Sequence, residues 1–148
     1  MKSKSVLVVG VVLLLAASAA FATKAQPIEV ARDSAQVVFV CRNGVSMSVW
    51  SAAYFNRLAS ARGLPERAIA RAAIASYSAV PYRMMFALAV DGFRLDGYRP
   101  HVVSPEDVKD AERVVVVQST DDTVLPTDVQ AAVRNSEVWQ GFPAMRDH

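Results

Sequence analysis

Apolar positions along the chain form short runs separated by amphipathic segments. The β-branched run from Val37 to Val40 predicts a buried strand over residues 35–40, and the valines from Val114 to Val117 predict another. Residues 68–75 carry a weaker strand pattern, and residues 137–139 a short one. Strands that are apolar on both faces are typical of a parallel sheet covered by helices on each side.

A helical pattern follows the first strand. Ser46 and Ser48 are candidate N-caps, and the pattern continues to about Arg62, with Asn56 on the side expected to face water. Gly63 fits the position just after the helix, where glycine adopts positive φ at little cost. The first strand therefore leads through a short loop into a helix of about four turns.

Two further helices are predicted. Residues 80–90 form one whose aromatic and methionine side chains are expected in the core, and Ser104-Pro105-Glu106 begins another that ends near residue 112. The alternation of strands and helices predicts an α/β fold, as a three-layer sandwich around a small parallel sheet.

The N-terminal residues form a separate segment. Residues 1–22 have a short basic head, an apolar stretch and the small-x-small site Ala20-Phe21-Ala22, which are the parts of a secretory signal peptide. The alternative is an uncleaved anchor, although the apolar stretch falls short of the roughly 20 residues that span a bilayer. Residues 23–34 then form a tether and residues 35–148 the domain. We expect a periplasmic or secreted protein, in contact with a membrane only if the segment is retained.

Composition and charge narrow the classes of function that the chain could have. The 148 residues suit one domain, with 16 basic and 14 acidic side chains. Removing Lys2 and Lys4 with the leader makes the chain formally neutral, and no basic cluster indicates nucleic acid. Two isolated histidines do not indicate a metal site, and no cofactor is expected. The single cysteine, Cys41, cannot form a disulfide within the chain.

Cys41 lies where the first strand ends and the first helix begins. In open α/β sheets, ligands bind outside the carboxyl ends of the strands, and the unpaired N–H groups of a helix N-terminus stabilise a phosphate or a thiolate. Position therefore favours an anion site over a buried core cysteine, which is the commoner state of a free thiol.

The chain resembles the low-molecular-weight protein tyrosine phosphatase family, whose fold is flavodoxin-like and is shared by thioredoxin-coupled arsenate reductases. The similarity covers nearly the whole of the chain after the predicted leader, although only five residues follow Pro143, where the family usually has a long last helix. It is carried by Phe39-Val40-Cys41, Ser48, Ala52-Ala53-Tyr54-Phe55, Asp91-Gly92-Phe93, Arg99-Pro100-His101, Ser104-Pro105-Glu106-Asp107 and Glu112-Arg113-Val114-Val115-Val116-Val117.

The resemblance implies that Cys41 is the nucleophile and that Ser48 hydrogen-bonds its thiolate, in a loop that binds phosphate. That loop comprises Cys41, Arg42, Asn43, Gly44, Val45, Ser46, Met47 and Ser48. In the family, an arginine that clamps the phosphate stands where this chain has Met47. Arg42 is a candidate substitute, although it begins the loop.

The family's general acid is an aspartate before a proline, and Phe142-Pro143 occupies that place here. Asp122, with Asp121, is the best substitute by position, although a solvated turn is the simpler interpretation.

Three functions remain open. The first is a phosphatase-like protein that binds phosphate, another oxyanion or a phosphomonoester with weak or absent turnover; the second is an active phosphatase that forms a phosphocysteine on Cys41. The third is a redox-sensing thiol, which requires an exposed Cys41. Arsenate reduction needs further cysteines that the chain lacks.

Overall fold

The computed structural model describes residues 26–27, 35–65, 67–95, 97–118 and 123–140. Six strands and four helices follow one another within these ranges. The strands are β1 (Gln26–Pro27), β2 (Val37–Cys41), β3 (Ala68–Ala72), β4 (Phe93–Arg94), β5 (Arg113–Val117) and β6 (Ser136–Trp139). The helices are α1 (Met47–Ala61), α2 (Tyr82–Val90), α3 (Pro105–Val108) and α4 (Thr127–Ala132).

Four of the strands form a parallel sheet in the order β3-β2-β5-β6. In β2, Val38 pairs with Ile69 of β3 on one side and with Val114 of β5 on the other. The central strand β2 is therefore hydrogen-bonded along both edges. β1 and β4 form a separate two-stranded parallel pair, which the sequence did not predict.

Helices cover both faces of this sheet. Phe39 and Val115 point to a core that includes Ala52 of α1 and Leu88 of α2. Successive side chains of a strand alternate between faces, so Val38 and Val114 point to a second core, which includes residues of α3 and α4. The predicted α/β fold with a small parallel sheet is confirmed.

The position of Asn56 corrects a prediction about α1. Asn56 was expected to face water, but it is buried. Its side-chain amide donates to the carbonyl of Ala68 at 3.0 Å, and its side-chain oxygen accepts from the N–H of Ala68 at 2.9 Å. Because both polar groups of the amide are satisfied, a buried asparagine joins the helix to the start of β3.

The predicted start of α3 is confirmed. Asp107 Oδ2 accepts from the backbone N–H and the hydroxyl of Ser104, at 2.9 and 3.0 Å, which forms a capping box. Its other oxygen lies 3.1 Å from Nε of Arg71, and both side chains are buried. A buried ion pair therefore connects β3 to α3.

Other predictions differ from the structure in detail. α3 ends at Val108, short of residue 112, and α4 has no counterpart in the prediction. The predicted leader, residues 1–22, and residues 141–148, on which the expectation about the family's last helix rests, lie outside the described residues. Within the described ranges, no helix is long and apolar enough to cross a membrane.

Candidate functional site

Cys41 lies at the point where the sheet changes its direction of winding. β2 is the first strand of the sheet, the next strand in sequence is added on one side, and β5 is added on the other. At such a point, the loops that follow the two neighbouring strands diverge and leave a crevice. Cys41 is the last residue of β2, so it lies at the carboxyl end of this central strand, as the sequence predicted.

Cys41 and Ser48 are in contact, as the family resemblance implied. The Cys41 Sγ atom lies 3.0 Å from the Ser48 hydroxyl oxygen, and either atom is able to donate. Both side chains are buried, and Cys41 is only 2% exposed. Ser48 therefore faces the thiol rather than capping the helix.

The loop between them is held against the end of β3. The N–H groups of Ala73 and Ile74 donate to the carbonyl of Arg42, at 3.1 and 3.0 Å. Gly44 has φ +63°, and a Cβ atom on it would lie 2.8 Å from the Ala72 Cβ atom and 2.9 Å from its backbone nitrogen. Glycine is therefore required here both by its backbone conformation and by the contact with Ala72.

Tyr98 fixes the loop from inside the core. Its hydroxyl donates to the carbonyl of Gly44 at 2.7 Å, and the tyrosine is 7% exposed. The peptide bond between Gly44 and Val45 is trans, so the N–H of Val45 points away from the Gly44 carbonyl and thus away from Tyr98. Sequence analysis missed Tyr98; its weak signal was a tyrosine just before the Arg99-Pro100 motif.

The loop carries a run of unpaired backbone donors. Within the described part of the chain, none of the N–H groups from Asn43 to Val49 donates to a backbone carbonyl. Ser46 occupies the N-cap of α1 without a capping hydrogen bond from its side chain, and the first turn contains no acidic residue. N–H groups at a helix N-terminus that have no intrahelical acceptor are suited to bind an anion, so this end of α1 is a candidate anion site.

Met47 and Arg42 occupy different surroundings. Met47 packs against the core, and it lines an apolar groove of about 410 Å³ between α1 and β6. The groove is formed by Phe39, Met47, Trp50, Ser51, Tyr54, Phe55, Leu58 and Trp139. Arg42 is exposed at the start of the loop. No positive charge therefore stands at position 47, where the family has arginine.

The remaining loop residues and the other candidate site residues differ in burial and in whether the structure describes them. Val45 is buried in the core, whereas Asn43 and Ser46 are half-buried. Asp122, the candidate general acid, lies outside the described residues together with Asp121. Among the residues that are described, no cluster of histidine, cysteine and carboxylate side chains could hold a metal.

The pKa of Tyr54 is raised above the ordinary value for tyrosine. Its hydroxyl donates to Asp91 Oδ2 at 2.9 Å. This hydrogen bond raises the pKa of Tyr54, and the negative charge of Asp91 acts in the same direction. The contact joins α1 to Asp91, the residue that directly follows α2.

Comparison with protein-family models, curated proteins and solved structures gave no match to this chain. The likeness to the low-molecular-weight phosphatases therefore rests on the residues of this chain alone.

Proposed function

We propose that the chain is an exported, phosphatase-like protein whose loop of residues 41–48 binds phosphate or a related oxyanion, with little or no turnover. The observation that carries this proposal is the run of N–H groups from Asn43 to Val49, beside Cys41, that have no backbone acceptor among the described residues. A phosphate offers several acceptor oxygens to such donors, and the dipole of α1 favours its charge.

The strand order supports a fold of the same kind as the family's. Numbered within the four-stranded sheet, the strands lie in the order second, first, third, fourth. This is the order of the flavodoxin-like sheets, which bind phosphate groups beside the first strand. We therefore propose the low-molecular-weight phosphatase fold for residues 35–148.

Weak turnover is proposed because the charge that stabilises the transferring phosphoryl group is missing. Met47 cannot donate a hydrogen bond and packs against apolar side chains. Loss of a preorganised donor of this kind typically lowers the rate about 100- to 1000-fold. The burial of Cys41 further limits the approach of a substrate phosphorus to the sulfur.

Active phosphomonoester hydrolysis is the second candidate function, and the contact between Cys41 and Ser48 favours it. A hydroxyl 3.0 Å from the sulfur is placed to donate to a thiolate nucleophile. The redox-sensing alternative is not supported in the same way, because it requires an exposed thiol and Cys41 is 2% exposed.

Phosphate titration and hydrolysis assays on the full chain separate these functions. Calorimetry with inorganic phosphate should show binding by the native chain, and p-nitrophenyl phosphate should show little or no hydrolysis. In Met47→Arg, we expect tighter phosphate binding and Cys41-dependent hydrolysis, because arginine offers a bidentate contact to phosphate. Met47→Leu is the matched control, since it keeps an apolar side chain of similar size.

Each outcome decides between the functions. Hydrolysis by the native chain that disappears in Cys41→Ser would establish the active phosphatase. Absence of phosphate binding in both the native chain and Met47→Arg would overturn the anion-site proposal.

A further inference from the structure

The apolar groove beside α1 has the size and lining of a ligand site. Its volume of about 410 Å³ is within the range usual for ligand pockets. On the helix side, its wall consists of residues that share one side of α1, from Met47 in the first turn to Leu58 near the end. Eleven residues of α-helix span about 16 Å, so the groove is elongated. None of the residues that form it carries a charge, so it suits a long, uncharged group.

The dimensions of the groove distinguish between occupants. A volume of about 410 Å³ over about 16 Å gives a mean cross-section of about 25 Å². An α-helix is about 10–12 Å in diameter with its side chains, so the helix of a partner protein does not fit inside. A lone aromatic ring fills only part of the length, whereas an extended hydrocarbon chain of about twelve carbons, with bonds of about 1.5 Å, spans it. The shape therefore favours a single alkyl chain.

The groove meets the cysteine loop at Met47, which lines the groove and belongs to the loop of residues 41–48. The N–H groups from Asn43 to Val49, which have no backbone acceptor among the described residues, lie at this end. The neighbouring wall residue Trp50 has a buried indole N–H for which the described part of the chain offers no acceptor. A buried donor in this state is costly, and a ligand oxygen would satisfy it. These donors favour an oxyanion at the end of the groove nearest Met47.

We propose that the ligand is a single-chain alkyl phosphomonoester, with its phosphate at the N-terminus of α1 and its chain in the apolar groove. The chain passes along α1 from Met47 towards Leu58, between the helix and Trp139. The Tyr54 hydroxyl donates to Asp91, so the ring is the part of Tyr54 that the chain contacts. This inference rests on the proposed anion site and adds the class of ester, which carries a long alkyl chain in place of a small or aromatic group.

Calorimetry with alkylphosphonates on the full chain tests this assignment, because a phosphonate keeps the oxyanion but has no ester bond to hydrolyse. Butyl-, octyl- and dodecylphosphonate are titrated below the concentrations at which they form micelles, with inorganic phosphate as the reference. The affinity should rise by up to about fourfold for each added methylene group until the chain fills the groove, because each methylene leaves water. Phenylphosphonate should bind more weakly than octylphosphonate.

Leu58→Asp introduces a charge at the far end of the groove without removing a core side chain, because Leu58 is 52% exposed. Only a long chain reaches this end, so dodecylphosphonate should bind about tenfold more weakly, whereas butylphosphonate and inorganic phosphate should bind as they do to the native chain. Leu64→Asp is the matched control, since Leu64 is 58% exposed and lies beyond the end of α1, outside the groove. It should leave all the affinities unchanged.

The outcomes separate this inference from the proposed function. Phosphate binding without any dependence on chain length, or equal weakening by Leu58→Asp and Leu64→Asp, would overturn the alkyl chain and leave the anion site in place. Binding of octanol as tight as that of octylphosphonate would overturn the position of the oxyanion at α1. Self-association of the chain that Leu58→Asp abolishes would also overturn the inference, because a second copy would then cover the groove. Absence of binding by inorganic phosphate and by every phosphonate would overturn both.

Discussion

Removal of the Tyr98 hydroxyl tests how the cysteine loop is held. In Tyr98→Phe, the aromatic ring stays in the core but the carbonyl of Gly44 loses the donor that lies 2.7 Å away. Both residues are buried, so water does not readily replace the lost hydrogen bond. A buried carbonyl that loses its partner costs about 1–3 kcal/mol, and we expect the free energy of unfolding to fall by that amount.

Urea unfolding followed by circular dichroism measures this change. Tyr82→Phe is the control, because the Tyr82 side chain is 74% exposed and its hydroxyl is solvated. A surface substitution of this kind usually changes stability by less than about 0.5 kcal/mol. If Tyr98→Phe is no more destabilising than Tyr82→Phe, the hydrogen bond does not hold the loop.

Hydrogen exchange separates a local effect from a general one. In Tyr98→Phe, the amides of Ala73 and Ile74, which donate to the Arg42 carbonyl of the loop, should exchange faster relative to the native chain than those of β2 and β5, because the loop loses its internal support. Equal acceleration throughout the sheet would indicate general destabilisation and contradict a specific role in shaping the loop.

Three further predictions concern the loop, the ion pair and the shifted tyrosine. Gly44→Ala should lower the free energy of unfolding by more than about 1–2 kcal/mol, the cost of the left-handed backbone alone, because the new Cβ would meet Ala72. The control is Gly97→Ala, at φ +74°, whose new Cβ meets nothing and which should show only the backbone cost. Equal losses in urea unfolding would contradict the contact with Ala72. Asp107→Asn should cost about 3 kcal/mol or more by breaking a buried ion pair. Glu137→Gln, in the exposed pair with Arg113, should cost at most about 1 kcal/mol, and similar values in thermal unfolding would refute the distinction. An ultraviolet titration should show Tyr54 ionising above its ordinary pKa of 10.0, so the stability from its bond to Asp91 is present below that pH and is lost as the pH rises through the higher folded-state value. Asp91→Asn should lower that pKa, and an unchanged titration would contradict the assigned cause.

The elements defined by local pattern were predictable. The run Val37–Cys41 and the valines of β5 are β-branched and apolar, and both form central strands. β3 gave a weaker signal because Ala68–Ala72 contains an arginine. The charge of the buried Arg71 is compensated by Asp107, 36 residues later, which pairs with it. A partner so far away in sequence does not change the local pattern of apolar and polar residues.

The helix faces were harder to predict because packing partners decide them. Asn56 is polar and was expected outside, but its side chain is buried because it hydrogen-bonds both the carbonyl and the N–H of Ala68. The pattern of α2 is apolar on nearly all sides, so periodicity could not show that Tyr82 and Phe86 face outward.

In the candidate site too, some residues were predictable from sequence and others only from the tertiary structure. The family resemblance named Cys41 and Ser48, and the structure places them 3.0 Å apart. Tyr98 lies 54 residues from Gly44 in sequence, so only the tertiary structure shows that it supports the loop. The direction of Met47, into an apolar groove, is equally a result of packing.

The uncapped start of α1 makes the choice of buffer an experimental variable. Its first N–H groups have no backbone acceptor within the described residues, so dissolved anions compete with water for them. If phosphate binds there, it stabilises the folded state by mass action, by about 2.7 kcal/mol at a concentration 100 times its Kd. Unfolding curves recorded in phosphate and in an amine buffer would then describe two different species, and a difference between them would serve as a label-free measure of ligand binding.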